Sequence, residues 1–342
     1  MSTGFKRLEE IAIPTIGLGC MNFSHGYGQP VPEPEALRAL DAAFDMGYRH
    51  FDTATLYGAT ANEQLVGKAL HGKRDQILLT SKCGMAIDPE LGKRVIDGRP
   101  ETIRHQCEAS LQRLRTDHLD IYYLHRLDRQ VPIEESVGAL GRLMEEGKIR
   151  GIGLSEISAT TLRRASAEHP IAAVQSEYSL WTRNPEIALI QACRESDTAL
   201  VAFSPLGRGF LTGAIKEASS LDESDMRRGM PRFSAENYPR NLRLLKALLA
   251  MANELGVKPG QLALAWLRAQ GNDIFPIPGS RSIEHMRENL AAENLRLDSG
   301  TVSRLNDMMT PDQVAGARYS ETQQSDIDTE EFACEASAAR TV

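Results

Sequence analysis

The chain has 342 residues, of which 42% are hydrophobic and 25% charged, ordinary proportions for a globular protein with a sizeable core. Its net charge of −7 disfavours nucleic acid and anionic membranes as partners, because both carry the same sign of charge. The five cysteines lack a CxxC spacing, and neither an apolar signal segment nor a membrane-spanning run is evident, so we expect a cytoplasmic protein without a disulfide framework.

Eight short apolar segments, rich in β-branched residues, alternate along the chain with longer amphipathic patterns such as PETIRHQCEASLQRLR. In chain order the predicted strands are Thr15–Gly19, Tyr48–Thr53, Ile77–Lys82, Leu119–His125, Ile149–Ser155, Ala172–Glu177, Ala199–Ser204 and Asp273–Pro278. Pro100 can begin a helix, and Gly47 and Gly147 stand just past helical patterns, where a left-handed residue is favoured. Eight such repeats predict an α/β protein of the (β/α)8 TIM-barrel class, with a parallel eight-stranded barrel.

We expect residues 1–310 to form this single barrel domain, with Arg7–Ile13 as a hairpin that closes its bottom. A charged insertion, Gly207–Pro239, follows the seventh predicted strand and is long enough to indicate a functional or disordered loop. Residues 311–342 are rich in Ala, Glu, Asp, Ser and Thr. They are predicted to form a loose tail that is flexible or packs over the barrel mouth.

Polar side chains stand at the end of almost every predicted strand, where barrel enzymes gather their chemistry. Asp52, Lys82 and His125 end the second, third and fourth strands, and Tyr57 follows Asp52 in the next loop. Each of these residues taken singly is more often structural than catalytic. Four such residues at the ends of consecutive strands favour a common site.

This quartet suits the reduction of a carbonyl group. A tyrosine hydroxyl has a reference pKa of about 10, which is high for an acid working near neutrality. The Lys82 ammonium favours the phenolate and lowers that pKa, while Asp52 holds the lysine charged and in place. His125 can donate a hydrogen bond to the carbonyl oxygen, so the set would protonate a carbonyl that receives hydride.

The motifs FDTATLYG, ILLTSKCG, LDIYYLHR, IRGIGLSE, AVQSEYSL, FSPLGRGFLTG and PIPGSRSIEHMRENL resemble those of the aldo-keto reductases over about Leu8–Met309. They are most similar to the YakC-like and auxin-induced-type reductases of bacteria and plants. The resemblance implies a (β/α)8 barrel that binds NADPH across its top and uses NADH less well. It also implies that Asp52, Tyr57, Lys82 and His125 form the catalytic tetrad, with Tyr57 as the general acid.

The resemblance assigns a cofactor role to further residues. Ser155 and Gln175 correspond to the pair that binds the nicotinamide carboxamide, Phe203 to the ring stacked on nicotinamide, and Arg281 to a phosphate contact. The full set of implied cofactor-binding residues is Gly19, Met21, Asp52, Ser155, Gln175, Phe203, Ser204, Pro205, Leu206, Gly207, Arg208, Gly279, Ser280, Arg281, His285, Glu288 and Asn289. Glu156 departs from the family pattern, since many members have Asn there, and Ser282 stands where close relatives often have a second basic residue.

Substrate contacts are expected from loops, and the candidates are His25, Tyr27, Met85, Arg126 and Trp181 together with the insertion. The expected partner is a small carbonyl compound, bound by a monomer or homo-oligomer. No HExxH, HxH or Cys/His cluster occurs, so we expect no metal. Two alternatives remain: a cofactor-binding regulatory subunit of the same fold, and a Schiff-base lyase with Lys82 as nucleophile. The intact tetrad disfavours the first, and Asp52 beside the lysine disfavours the second.

Overall fold

The computed structural model describes residues 14–88 and 92–338, so the predicted hairpin Arg7–Ile13 lies outside the described residues. The strands are β1 (Leu18–Gly19), β2 (His50–Asp52), β3 (Leu78–Cys83), β4 (Met85–Ile87), β5 (Arg94–Ile96), β6 (Ile121–Leu124), β7 (Ile152–Ser155), β8 (Ile171–Glu177), β9 (Ala199–Phe203) and β10 (Ile274–Ile277).

Eight of these strands form one parallel sheet in the order β1-β2-β3-β6-β7-β8-β9-β10. The first and last strands meet, since the Gly17 and Gly19 amides donate to the carbonyls of Pro276 and Pro278 at 2.9 and 3.2 Å. The predicted (β/α)8 barrel is therefore confirmed. The antiparallel hairpin formed by β4 and β5 was not predicted, because its two strands have only three residues each.

The helices are α1 (Glu33–Met46), α2 (Ala61–Ala69), α3 (Pro100–Leu114), α4 (Ile133–Glu145), α5 (Ala159–Glu168), α6 (Leu189–Glu195), α7 (Tyr238–Glu254), α8 (Pro259–Ala269), α9 (Ile283–Ala291), α10 (Ser299–Met308), α11 (Glu321–Gln324) and α12 (Ala333–Ala338). In α4, Ile133, Val137 and Leu140 recur at three- and four-residue spacing and are buried against the barrel. Gly47 ends α1 in the left-handed region, with φ of 112°. Of the described helices, none is long and apolar enough to cross a bilayer.

The insertion folds as a series of single 3-10 turns before α7, at Gly207–Thr212, Ala218–Ser220, Met226–Gly229 and Pro231–Phe233. It is anchored by an aromatic cluster, in which the Trp181 ring stacks on Phe210 with centroids 4.0 Å apart and meets Phe233 edge-on at 5.5 Å. The chain after α10 also packs on the barrel. Its Asp328 side chain accepts a hydrogen bond from Thr161 at the first turn of α5 at 2.6 Å.

The barrel interior is filled by an apolar cluster that includes Tyr123 of β6 and Phe275 of β10. Tyr123 stands opposite Gly153 of β7 in the parallel register. A Cβ at residue 153 would lie only 2.2 Å from the nearest atom of the Tyr123 ring. The glycine therefore leaves the space that this buried ring occupies below the barrel mouth.

We expect Gly153→Ala to lower the free energy of unfolding by about 1–3 kcal/mol, the usual cost of overpacking a well-filled core. Chemical denaturation measures the change. The matched control is Gly229→Ala, where a Cβ would meet no heavy atom within 4 Å. Equal stability of the two variants would contradict the packing argument.

Candidate active site

The barrel brings the four predicted catalytic residues together. Asp52 ends β2, Lys82 lies in β3 and His125 follows β6, and these three strands are neighbours. Tyr57 lies in the loop between β2 and α2. All four side chains are buried at the C-terminal ends of the strands, with between 1% and 8% of their surface exposed.

Lys82 makes three polar contacts through its ammonium nitrogen. Nζ lies 2.5 Å from Asp52 Oδ1, 2.8 Å from the Thr53 carbonyl oxygen and 3.2 Å from the Tyr57 hydroxyl. These contacts match the three protons of a charged ammonium group. Burial lowers the pKa of Lys82, but the nearby Asp52 and Tyr57 oxygens outweigh it, so the pKa is raised overall. The lysine therefore stays protonated, which leaves it without the lone pair that Schiff-base formation needs.

Asp52 has a second set of partners on its other oxygen. The Thr80 hydroxyl donates to Oδ2 at 2.8 Å, and the Gln175 side-chain amide donates to it at 2.9 Å. Both carboxylate oxygens are thus engaged, as a buried charge requires. Gln175 lies in β8, across the barrel, so this hydrogen bond links the tetrad to the predicted nicotinamide site.

Tyr57 is held as a neutral phenol. Burial raises the pKa of its hydroxyl, and the Lys82 ammonium lowers it by less, so the net shift is upward. The sequence analysis expected Lys82 to lower this pKa and did not anticipate that burial would dominate. The Tyr57 ring meets the His125 ring edge-on at 5.8 Å and stacks on His25 at 6.1 Å.

His125 is a neutral imidazole. Burial holds its pKa well below the ordinary value, and the Arg126 and Lys82 charges push it further down. Its Nδ1 has no hydrogen-bond partner within the described part of the chain. A neutral ring carries one N–H, so it can donate one hydrogen bond to an oxygen without supplying a full positive charge.

Asn62 fixes the loop that carries Tyr57. Its side-chain amide donates to the Cys20 carbonyl at 2.8 Å and to the Ser24 hydroxyl at 2.9 Å. Its oxygen accepts from the Thr53 hydroxyl at 2.6 Å, and its backbone amide donates to the Tyr57 carbonyl at 3.3 Å. Asn62 is not among the residues predicted from the sequence, because an asparagine in the first turn of a helix is usually a local cap.

A cavity of about 690 Å³ extends from the tetrad to α9 along the barrel top. Asp52, Tyr57, Gln175 and Phe203 line the end at the tetrad. Of the predicted cofactor residues, those that line it are Gly19, Met21, Asp52, Gln175, Phe203, Ser204, Pro205, Leu206, Arg208, Gly279, Ser280, Arg281, His285, Glu288 and Asn289. Ser155 and Gly207 are buried beside it. The long shape suits an extended dinucleotide.

The loop after β9 presents an unusual backbone. Ser204, Gly207, Arg208 and Gly209 all have positive φ, at 48°, 56°, 56° and 91°. The Arg208 side chain is occupied by the protein, since its guanidinium donates to Glu177 at 2.8 Å. Successive residues of this kind turn backbone amides toward a common point, which favours an anion. The Gly207 and Gly209 amides already donate to the Ser204 and Leu206 carbonyls at 2.9 and 3.1 Å, so a phosphate would meet the remaining amides of this loop and not the Arg208 charge.

The far end of the cavity is built by α9 and α8. Ser282 caps α9 by accepting a hydrogen bond from the His285 amide at 3.3 Å, which explains a serine at this position. Arg281 is exposed beside this helix start, and its guanidinium donates to the Gln29 carbonyl at 3.1 Å. Lys258 of the α7–α8 connection lines the same end and was not predicted. Each cation precedes the N-terminus of a helix, Arg281 that of α9 and Lys258 that of α8, and this arrangement favours a phosphate group.

The predicted substrate residues occupy different places. Tyr27 lines the cavity, His25 stacks on Tyr57, and Met85 is buried in a small cluster that includes the Tyr57 ring. Arg126 is half-buried, with its guanidinium 3.3 Å from the Ser155 hydroxyl. Trp181 is buried in the aromatic cluster of the insertion and does not line the cavity, because its ring packs against Phe210.

Among the described residues no group of three His, Cys, Asp or Glu side chains could hold a metal.

Comparison with known proteins identifies relatives of this chain. The sequence matches the Aldo/keto reductase family over residues 15–309. The aldo-keto reductase yakc [NADP(+)] of Schizosaccharomyces pombe is 41% identical over 324 residues, which span 93% of this chain and 95% of the relative.

Solved structures show the same architecture. A glycerol dehydrogenase from Gluconobacter oxydans superposes with a TM-score of 0.79 at 27% identity, over 87% of this chain and 92% of the other. An aldo/keto reductase from Klebsiella pneumoniae, solved in complex with NADP and acetate, gives 0.68 at 29% identity over 90% and 94%.

We expect Asn62→Ala to lower the free energy of unfolding by about 1–3 kcal/mol for each buried group left unpaired, and to displace the Tyr57 loop. If this site is catalytic, kcat falls as well. Thermal denaturation and steady-state kinetics measure both effects. Asn253→Ala, at an exposed position of α7, is the control and should leave both unchanged. A stable Asn62→Ala protein would show that these hydrogen bonds do not hold the loop.

Proposed function

The chain belongs to the aldo/keto reductase family, and from that premise we propose that it is an NADPH-dependent oxidoreductase that reduces an aldehyde or ketone to an alcohol. The observation that carries the proposal is the buried contact of Lys82 Nζ with both Asp52 and the Tyr57 hydroxyl. It supports the proposal because the phenol of Tyr57 lies beside a positive charge, and Tyr57 itself lines one end of the cavity.

The lining of the cavity fits NADPH. Gln175 and Ser155 would bind the nicotinamide carboxamide, with Phe203 against the ring. The loop from Ser204 to Gly209 would hold the pyrophosphate through its amides, and Arg281 would meet the 2′-phosphate. When bound, NADPH supplies the hydride that the carbonyl carbon accepts.

The protein's own residues would provide the proton. The Tyr57 hydroxyl donates its proton to the carbonyl oxygen as negative charge develops there, and the phenolate that remains is stabilised by the Lys82 ammonium. The neutral His125 ring donates a hydrogen bond to the same oxygen and orients it. Asp52 keeps Lys82 charged throughout. The raised pKa of Tyr57 keeps this proton on the phenol until the substrate takes it.

The two alternative functions find less support. A regulatory subunit needs the cofactor cavity but has no need for a tyrosine, a lysine and a histidine in contact at its end. A Schiff-base lyase needs a neutral lysine, whereas the pKa of Lys82 is raised by its neighbours.

We expect Tyr57→Phe to lower kcat by about 10²–10⁴-fold, because it removes the donated proton and keeps the ring. NADPH affinity should stay nearly unchanged. Tyr48→Phe is the matched control, since it also removes a buried tyrosine hydroxyl, one that donates to the Met286 carbonyl at 2.9 Å away from the cavity. Turnover by Tyr57→Phe within a few-fold of wild type would exclude this tyrosine as the acid.

The preference for NADPH over NADH tests the proposal separately. A charge-assisted hydrogen bond contributes about 1.5–3 kcal/mol, so Arg281 should favour NADPH over NADH by roughly ten- to a hundred-fold. Arg281→Ala should weaken NADPH binding and leave NADH binding almost unchanged. Fluorescence titration of the purified protein measures both dissociation constants. Arg287→Ala, an exposed arginine on α9, is the control, and equal loss of both cofactors in Arg281→Ala would assign Arg281 a structural role.

A further inference from the structure

Glu156 is one of the residues at which this chain departs from the family pattern, and the structure shows what binds it. It follows Ser155 at the end of β7, is buried and has a left-handed φ of 53°. Its Oε1 accepts hydrogen bonds from the Ser176 hydroxyl at 2.9 Å and from the Glu177 amide at 3.0 Å. Its Oε2 pairs with the guanidinium of Arg318. Both carboxylate oxygens are therefore engaged by the protein.

Arg318 comes from the chain after α10 and is also buried, with 4% of its surface exposed. Its guanidinium also lies 3.6 Å from Glu177 Oε2, which in turn accepts a hydrogen bond from Arg208 at 2.8 Å. Arg208 donates to the Tyr319 hydroxyl at 3.0 Å. Two carboxylates and two guanidiniums thus alternate from the end of β7 to the loop after β9, and their charges cancel.

The chain after α10 is attached at other points that do not involve Arg318. The Asp328 carboxylate accepts from the Ser158 hydroxyl at 2.9 Å and from the Thr161 hydroxyl at 2.6 Å. Farther along, Glu335 pairs with Arg232 at 3.1 Å. Several contacts therefore attach this segment to the rest of the protein, whereas Arg318 is the residue that neutralises the charge of Glu156.

We propose that Arg318 is a positioning residue that cancels the charge of Glu156, whose backbone amide donates to the carbonyl of the cavity-lining Gln175 at 3.0 Å, and so sets the relative affinity for NADPH and NADP+. The inference rests on the proposed function, in which Ser155 faces the nicotinamide. The oxidised ring carries a positive charge that the reduced ring lacks. An uncompensated carboxylate next to Ser155 therefore attracts NADP+, and an uncompensated guanidinium there repels it.

Two substitutions that remove charges of opposite sign test the proposal. We expect Arg318→Met to lower the ratio of the NADP+ to the NADPH dissociation constant by about tenfold, the size of the effect of one unit charge in a partly screened site. Glu156→Gln should raise that ratio, because Arg318 then carries excess positive charge. In the double variant the two changes should cancel, and Arg318→Lys should retain the wild-type ratio.

Fluorescence titration of the full chain with each nucleotide provides the readout, with limited proteolysis to check the fold of each variant. Thr161→Val is the control, since it removes the hydrogen bond to Asp328 and so loosens the same segment without changing any charge, and it should alter both affinities by a similar factor. Ratios that shift in the same direction in both single variants, or stay at the wild-type value, would overturn the proposal. Failure of the wild type to bind either nucleotide would instead overturn the proposed function and this inference with it.

Discussion

The candidate site depends on one buried ion pair, Asp52 with Lys82, whose charged atoms lie 2.5 Å apart. A charge buried without a partner costs several kcal/mol, so this lysine is tolerated only because the neighbouring strand presents a carboxylate to it. The parallel register sets Asp52 beside Thr80, two residues before Lys82, and both side chains reach the barrel mouth. With one proton of the Lys82 ammonium donated to Asp52, the other two are donated to the Thr53 carbonyl and the Tyr57 hydroxyl, and these contacts hold both groups in place. The ion pair therefore determines where the proton donor lies.

A second cluster, in which carboxylates and guanidiniums alternate, lies at the ends of β7 and β8. It joins the ends of β7 and β8 to the chain after α10 through Glu156, Glu177, Arg208 and Arg318. Because Arg208 is paired with Glu177 in this cluster, it would not bind the phosphates of the proposed cofactor. Main-chain amides and the cations at the far end of the cavity would bind them instead. The pKa of Glu177 is brought to about 2 by Arg208 and Arg318 despite its burial, so this carboxylate stays ionised near neutrality. Each of the two clusters thus pairs its buried carboxylates with cations of the protein.

The barrel and the convergence of the tetrad can be predicted from local patterns in the sequence. Apolar runs at regular spacing predict the strands, and parallel strands in order must bring Asp52, Lys82 and His125 together. Other features depend on contacts between segments far apart in the chain. The Glu156–Arg318 pair joins residues 162 positions apart, and Trp181 is buried by Phe210 of the insertion, so no local pattern predicts either. The upward shift of the Tyr57 pKa likewise needs the burial of the ring to be known.

The proposed mechanism requires that Tyr57, held by the Asp52–Lys82 pair, protonates a carbonyl oxygen. A crystal structure of the protein with NADP+ and a carbonyl-containing inhibitor is the decisive measurement. We expect the carbonyl oxygen within about 2.6–3.2 Å of the Tyr57 hydroxyl, with the His125 ring nitrogen as its second neighbour. A carbonyl oxygen bound by other groups, with Tyr57 out of reach and the nucleotide fully seated, would contradict it.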